Sequence, residues 1–301
     1  MKPKLLMIDL AYHQKTKSNA FFRTLLSASF DVVDHYEPVA QTQREDFQSL
    51  IDRENYAVVL FFQVTPSPAV ARTLRHPNLI YVPMYDSVYD WTKEHWQAYR
   101  SFRVVSFCQT VTQLLLEEGI SVFPVQYYPE PQAFEPGHPD EVFFWQRVGY
   151  FGTRQVTRLI QPPKRLHLHA AIDPGHQGDL PTEQEIADYK MTFTTWFETQ
   201  EEAWTLIRGK GIFIAPRMLE GIGMSFLEAM SMGKAVVAFD RPTMNEYIKD
   251  GITGYLFQER LKPIDFSNMA QVQLNAWNSV RAGRARYLET VAQLPAFLMG
   301  D

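Results

Sequence analysis

The sequence holds a single cysteine, Cys108, so no disulfide framework and no thiolate zinc site is available to it. It also lacks an excess of basic residues. With 29 Lys and Arg against 34 Asp and Glu, the formal charge is -5, which argues against nucleic acid as a main partner because phosphate-backbone binding needs a strongly basic face. No long apolar run and no signal peptide is read, and the expectation is a soluble, cytoplasmic chain, with peripheral contact at the inner face of a membrane left open. No glycine-rich dinucleotide fingerprint follows the first apolar strand, Lys4 to Leu10, which disfavours a nicotinamide dehydrogenase. Asp-x-Asp, a pair that holds a divalent metal beside a diphosphate, is absent as well.

What is present is enough for two cores. A length of 301 residues and 46% hydrophobic content fit two domains. The first half alternates as an open α/β sheet does, with strands expected at Phe30 to Asp34, Ala57 to Phe62, Leu79 to Pro83, Arg103 to Phe107 and Val122 to Tyr127. Helical stretches are expected at Ala20 to Ala28, Ser67 to Arg75 and Gln109 to Glu118. Prolines and glycine cluster in 129–139, which places a boundary there and gives domains 1–138 and 139–301. The second domain is read as restarting on Val148-Gly149-Tyr150-Phe151-Gly152, and Phe266 to Leu298 has helical spacing with Pro295 expected to end or kink it.

The most informative segment runs from 211 to 256. An apolar strand, Gly211 to Ala215, meets Pro216, and the glycines Gly221 and Gly223 then open a helix carrying Phe226, Leu227 and Met230 on one face. Glu220 stands on the loop and Glu228 in the early helical turns. Glycines admit a ligand close to the backbone, a helix N-terminus offers free N–H groups to a diphosphate, and a carboxylate has two acceptor oxygens for the hydroxyls of a ribose. Taken alone, the spacing favours a dipole-complementing glutamate and an ordinary turn, because glutamates are common on helices.

Pro216 to Leu256 resembles the donor-binding half of the retaining glycosyltransferases of family four, which have the GT-B fold. The elements are a proline, Glu220-Gly221-x-Gly223, Glu228-Ala229-Met230, Gly233-x-x-Val236-Val237, Glu246 and Gly251-x-x-Gly254, in the family's order. The resemblance implies two Rossmann-like domains facing each other across a cleft, with the last helix crossing back to the first domain. It also implies transfer of a sugar from a nucleotide-sugar to a hydroxyl of a glycan or lipid-linked acceptor, as in bacterial surface polysaccharide synthesis, with no cofactor.

Residue by residue, Glu220 matches the glutamate beside the transferred sugar and Glu228 the one that binds the ribose. Gly221 and Gly223 match the turn that admits sugar and phosphates, and Thr243, Asn245 and Glu246 lie in the loop whose backbone reaches the donor. Arg217 stands where many members carry a small hydroxyl residue. Arg154 and Arg158, four apart after the restarting strand, are candidates for the donor diphosphate, with a solvated basic face as the other reading. Such cations and a helix end in place of a metal predict metal-independent chemistry.

A first-domain histidine of many relatives is missing where this chain reads Met84-Tyr85-Asp86, so Tyr85 or Asp86 is expected toward the acceptor. His13, just past the first strand, is a further acceptor-side candidate. His167, His169 and His176 form a conceivable metal cluster, outweighed by ordinary packing, and Trp91, Trp96, Tyr99, Arg100 and Arg103 read as core before membrane. Two other readings are kept: a GT-B sugar-nucleotide epimerase or phosphorylase, and a non-catalytic nucleotide-sugar binding module.

Overall fold

The computed structural model describes residues 2–39, 44, 46–161, 164–173 and 175–300. They form two compact units, Met1–Gln126 with Arg286–Asp301, and Tyr127–Ala285.

The first unit is a six-stranded parallel sheet of β1 (Lys4–Leu10), β2 (Asp31–Glu37), β3 (Val58–Phe62), β4 (Leu79–Val82), β5 (Arg103–Ser106) and β6 (Val122–Pro124). Its order is β2-β1-β3-β4-β5-β6. Strands covered on both faces read as unbroken apolar runs, and all five residues of β3, Val-Val-Leu-Phe-Phe, are buried. The direction of winding reverses between β1 and β3. The aromatic stretch expected in the core is there: Trp96 and Tyr99 are fully buried, and Tyr99 stacks on Tyr81 at 5.3 Å. The Tyr99 hydroxyl donates to the Pro66 carbonyl at 2.6 Å, whereas the buried Trp96 Nε1 has no hydrogen-bond partner among the described residues.

The second unit repeats the plan with β7 (His138–Trp145), β8 (Arg165–His169), β9 (Thr192–Thr194), β10 (Lys210–Ile214), β11 (Ala235–Phe239) and β12 (Tyr255–Phe257), all parallel, in the order β12-β11-β10-β7-β8-β9. Here the reversal lies between β7 and β10. The first strand of this sheet therefore differs from the one read in the sequence: it is His138–Trp145, and Val148 and Phe151 form only an isolated antiparallel bridge. Pro136 and Pro139 hid it. Pro139 is tolerated because the β7–β10 register shifts between Lys210 and Ile212, where the ladder is already interrupted.

The division between units falls after Gln126, ahead of the proline cluster taken as the boundary in the sequence. Hydrogen bonds explain the difference. Gln132 N–H donates to the Ser231 carbonyl at 3.2 Å, Glu135 N–H to that of Met232 at 2.9 Å, and Trp277 Nε1 to the Gln132 carbonyl at 2.9 Å. Lys234, fully buried, donates from Nζ to the carbonyls of Glu135 and Arg208. Residues 127–137 are thereby fastened to the second unit.

The chain then returns to the first unit. Helix Met269–Val291 is followed by helix Leu294–Met299, with Pro295 in the first turn of the latter, where its missing N–H costs nothing. Phe297 packs on Phe123 at 5.2 Å, Arg103 donates to the Leu298 carbonyl at 2.8 Å, and Leu298 is fully buried. Cutting Leu298 back to alanine is expected to destabilise the first unit by about 2–5 kcal/mol, the usual cost of a buried Leu→Ala cavity. Urea unfolding of Leu298→Ala checks this, and a change below about 0.5 kcal/mol would show the last helix to be a surface appendage.

Candidate functional site

The site is built at the end of β10. The strand delivers the chain to Ala215 and Pro216, and the loop 217–222 carries it to Gly223, which caps helix Met224–Ser231 in the left-handed region at φ 80. A Cβ at Gly223 would sit 1.9 Å from the Phe226 ring, so the position admits only glycine. Among the described residues no side chain caps this helix or accepts from the N–H groups of its first turn. β10 borders β7, so the uncapped end lies at the carboxyl edge of the sheet beside the winding reversal, where open α/β sheets bind ligands. Partial positive charge collects there.

Around that turn the sequence candidates assemble. Glu220 is 6% exposed, with Arg217 Nη1 3.9 Å from its Oε2. Thr243, fully buried, donates from Oγ1 to the Glu220 carbonyl at 3.3 Å and ties the 217–222 loop to the loop after β11. Asn245 is exposed and hydrogen-bonds Asp240 at 3.1 Å, while Glu246 is half-buried on the short helix Met244–Tyr247. Gly221 is buried beside them. Glu228 lies in the second helical turn, half-buried, and burial pushes its carboxyl up to about 7, opposed by a hydrogen bond from Trp204. Tyr127 is pushed up to about 12 by its own burial and then by the nearby charge of Glu228.

Arg154 and Arg158 stand apart from this group, both exposed on helix Thr153–Leu159. The first N–H groups of that helix are already used: Asp179 accepts from Thr153 at 3.1 Å and from Arg154 at 3.4 Å, and takes a further hydrogen bond from Gln146 Nε2. Asp173, from the same loop, pairs with Arg147 at 3.0 Å. The sequence reading missed Gln146, Arg147, Asp173 and Asp179. Placing the strand at 148–152 put Arg147 before the strand, whereas it follows the true strand by two residues.

The first-unit candidates lie at strand ends of their own sheet. Tyr85 and Asp86 are half-buried on helix Tyr85–Val88 after β4, and His13 is 3% exposed on helix Ala11–Thr16 after β1. The histidines of β8 are packing residues: His167 bonds Thr192 at 2.8 Å and Thr194 at 2.9 Å, and His169 bonds Thr194 at 2.9 Å. Burial lowers both to about 4, which keeps the rings neutral at pH 7. Among the described residues no group of three or more His, Cys, Asp or Glu is arranged to hold a metal ion.

Residues 182–274 match the family of glycosyl transferases group 1. The match contains Arg217, Glu220, Gly221, Gly223, Glu228, Thr243, Asn245 and Glu246, and leaves out Arg154, Arg158 and the whole first unit. No curated protein matches by sequence. Among solved structures, Anabaena HepE in complex with UDP and glucose aligns over 99% of this chain and 100% of its own, with TM-score 0.60 and 14% identity. Sucrose-phosphate synthase from Thermosynechococcus elongatus aligns over 99% and 100%, with TM-score 0.63 and 12% identity. The lipopolysaccharide outer core galactosyltransferase WaaB aligns over 96% and 95%, with TM-score 0.58 and 11% identity. At such identities the likeness is one of fold. The two six-stranded parallel units match the GT-B fold of these neighbours.

The raised carboxyl of Glu228 has a measurable consequence. In the unfolded chain it titrates near 4.5, in the folded chain near 7, so between those values the folded state holds more protons and stability falls as pH rises. A tenfold change in proton affinity is worth about 1.4 kcal/mol, so the cost above neutrality is on the order of 3 kcal/mol. Glu228→Gln should match the wild type near pH 4 and exceed it by up to roughly that amount at pH 8. Urea midpoints across this range measure the difference. Parallel curves for the two proteins would place Glu228 in water.

Proposed function

We propose that the chain is a retaining glycosyltransferase of the hexosyl type, moving a sugar from a nucleotide-sugar donor to a hydroxyl of a glycan or lipid-linked acceptor without a metal. The observation that carries this reading is the uncapped helix end behind Gly223, flanked by Glu220 and Glu228, inside the segment that matches the glycosyl transferases group 1 family. The neighbours described as complexes with UDP, and with UDP and glucose, support a nucleotide-sugar as donor. A galactosyltransferase of the lipopolysaccharide outer core among them supports a place in bacterial surface polysaccharide synthesis.

The chemistry follows from charge. As the bond from the anomeric carbon to the diphosphate lengthens, negative charge grows on the phosphate and positive charge on the sugar. The open N–H groups of Met224 and its neighbours answer the first, without reorganising during the reaction. Arg217, and Arg154 or Arg158 if the donor reaches them, add cations in place of a metal. Glu220 answers the second by orienting the sugar, with the acceptor hydroxyl entering on the side from which the phosphate departs and passing its proton to it. Glu228 accepts the ribose hydroxyls, for which an ionised carboxylate is the better acceptor. No helix among the described residues is long and apolar enough to cross a membrane.

The two glutamates separate kinetically. Ribose does not react, so Glu228→Ala is expected mainly to raise the donor KM, whereas Glu220→Gln is expected to lower kcat by about a hundredfold, the effect of about 2.7 kcal/mol in the barrier. Initial rates with UDP-, GDP-, ADP- and CMP-sugars, with and without EDTA, check both halves. Activity that EDTA abolishes and magnesium restores would contradict the metal-free mechanism, and an unchanged kcat in Glu220→Gln would make Glu220 a binding residue only.

A further inference from the structure

Two parallel sheets leave four edge strands, and an edge is a template for further pairing unless something blunts it. Three of the four are blunted. β2 carries Asp31, Asp34, His35 and Glu37, with Asp34 paired to Arg23 and His35 to Glu37 at 2.9 Å. β6 is three residues long and ends on Pro124, which has no N–H to offer. On β12 the Leu256 N–H donates to the Asp250 carboxylate at 2.8 Å, so its edge is served from within the chain.

β9 has none of these devices. Met191 to Phe197 holds no charged residue and no proline, and Phe193 and Trp196 are 49% and 62% exposed. The Ala170 N–H donates to the Thr194 carbonyl at 2.8 Å, which turns the backbone groups of Thr194 toward β8. Backbone groups alternate in direction along a strand, so those of Phe193, and of Thr195 in continuation, face the open edge. The Thr192 and Thr194 side chains are held by His167, which keeps the strand straight at that edge.

The charges at the two ends say what fits. Lys190 lies four residues before Thr194 and Glu198 four residues after it, and both are exposed without an ion-pair partner among the described residues. About a two-fold axis at Thr194, an antiparallel copy of the same strand sets Phe193 opposite the partner's Thr195 and carries Lys190 toward the partner's Glu198. Symmetry makes each contact twice. We infer that the β9 edge binds a second copy of this chain, joining the two second-unit sheets antiparallel through Phe193 and Thr195, with the Lys190 and Glu198 ends fixing the register. A foreign strand need not carry that charge pattern, whereas a second copy always does. The inference does not depend on the glycosyl-transfer reading.

Sedimentation velocity of the full chain over a dilution series tests it, with a monomer–dimer equilibrium expected for the wild type. Phe193→Lys puts two like charges at the edge, and Thr195→Pro removes an outward N–H without touching the β8 ladder. Each is expected to weaken the dimer by more than about tenfold. Lys190→Glu alone is expected to weaken it by about tenfold, and the double variant Lys190→Glu, Glu198→Lys to restore it. Urea midpoints confirm that the variants are folded. Should one fold poorly, amide exchange is read in the wild type, where the Phe193 and Thr195 N–H groups are expected to slow as protein concentration rises. A wild type that stays monomeric throughout the series overturns the inference. So does a dimer indifferent to Phe193→Lys and Thr195→Pro, or exchange at those two amides that ignores concentration. A charge swap that fails to restore the dimer overturns the antiparallel pairing.

Discussion

A helix that begins without a side-chain cap, immediately behind a glycine that nothing else can replace, sets the terms for the second unit. Gly223 must adopt the left-handed region and leave space for the Phe226 ring, which turns the chain from the end of β10 straight into the helix. Strand, turn and helix together fix where Glu220 and Glu228 stand, one on the loop and one in the second turn. Thr243 closes the arrangement by bonding the Glu220 carbonyl from the next loop. The uncapped N–H groups are the unspent hydrogen-bonding capacity of this edge, and an anion is what they are suited to hold.

The helix Thr153–Leu159 makes an instructive contrast. Its first N–H groups are answered by Asp179, and the neighbouring cation Arg147 by Asp173, so its anion requirement is met from within the chain. The two helix ends have similar backbone chemistry and opposite hydrogen-bond states. Among the described residues no side chain answers the one behind Gly223.

The donor-type half was legible in the sequence because its chemistry is local. Glu220, Gly221, Gly223 and Glu228 lie within nine residues, and a strand, a turn and a helix bring them together without long-range contacts. Most first-unit strands were legible for a related reason: buried parallel strands such as Val58–Phe62 are unbroken apolar runs with clear ends. What escaped depended on distant partners. β7 was hidden because Pro139 counts against a strand unless the irregular β7–β10 register opposite it is known. Asp173 and Asp179 meet their partners across 26 residues, and no spacing rule reaches that far. His13 was legible as a candidate, but its hydrogen bond to Asp9, with Asn19 on the same carboxylate and Phe62 against the ring, came only with the fold.

The claim on which the account rests is that the open helix end behind Gly223 holds a diphosphate. Calorimetric titration of uridine, guanosine and adenosine, each beside its own nucleoside diphosphate, tests this most directly. Charge-assisted hydrogen bonds contribute about 1.5–3 kcal/mol each, so at least one diphosphate should bind more than tenfold tighter than its parent nucleoside, in the presence of EDTA. If every diphosphate bound no better than its nucleoside, the open end would not be an anion site, and the account would fail.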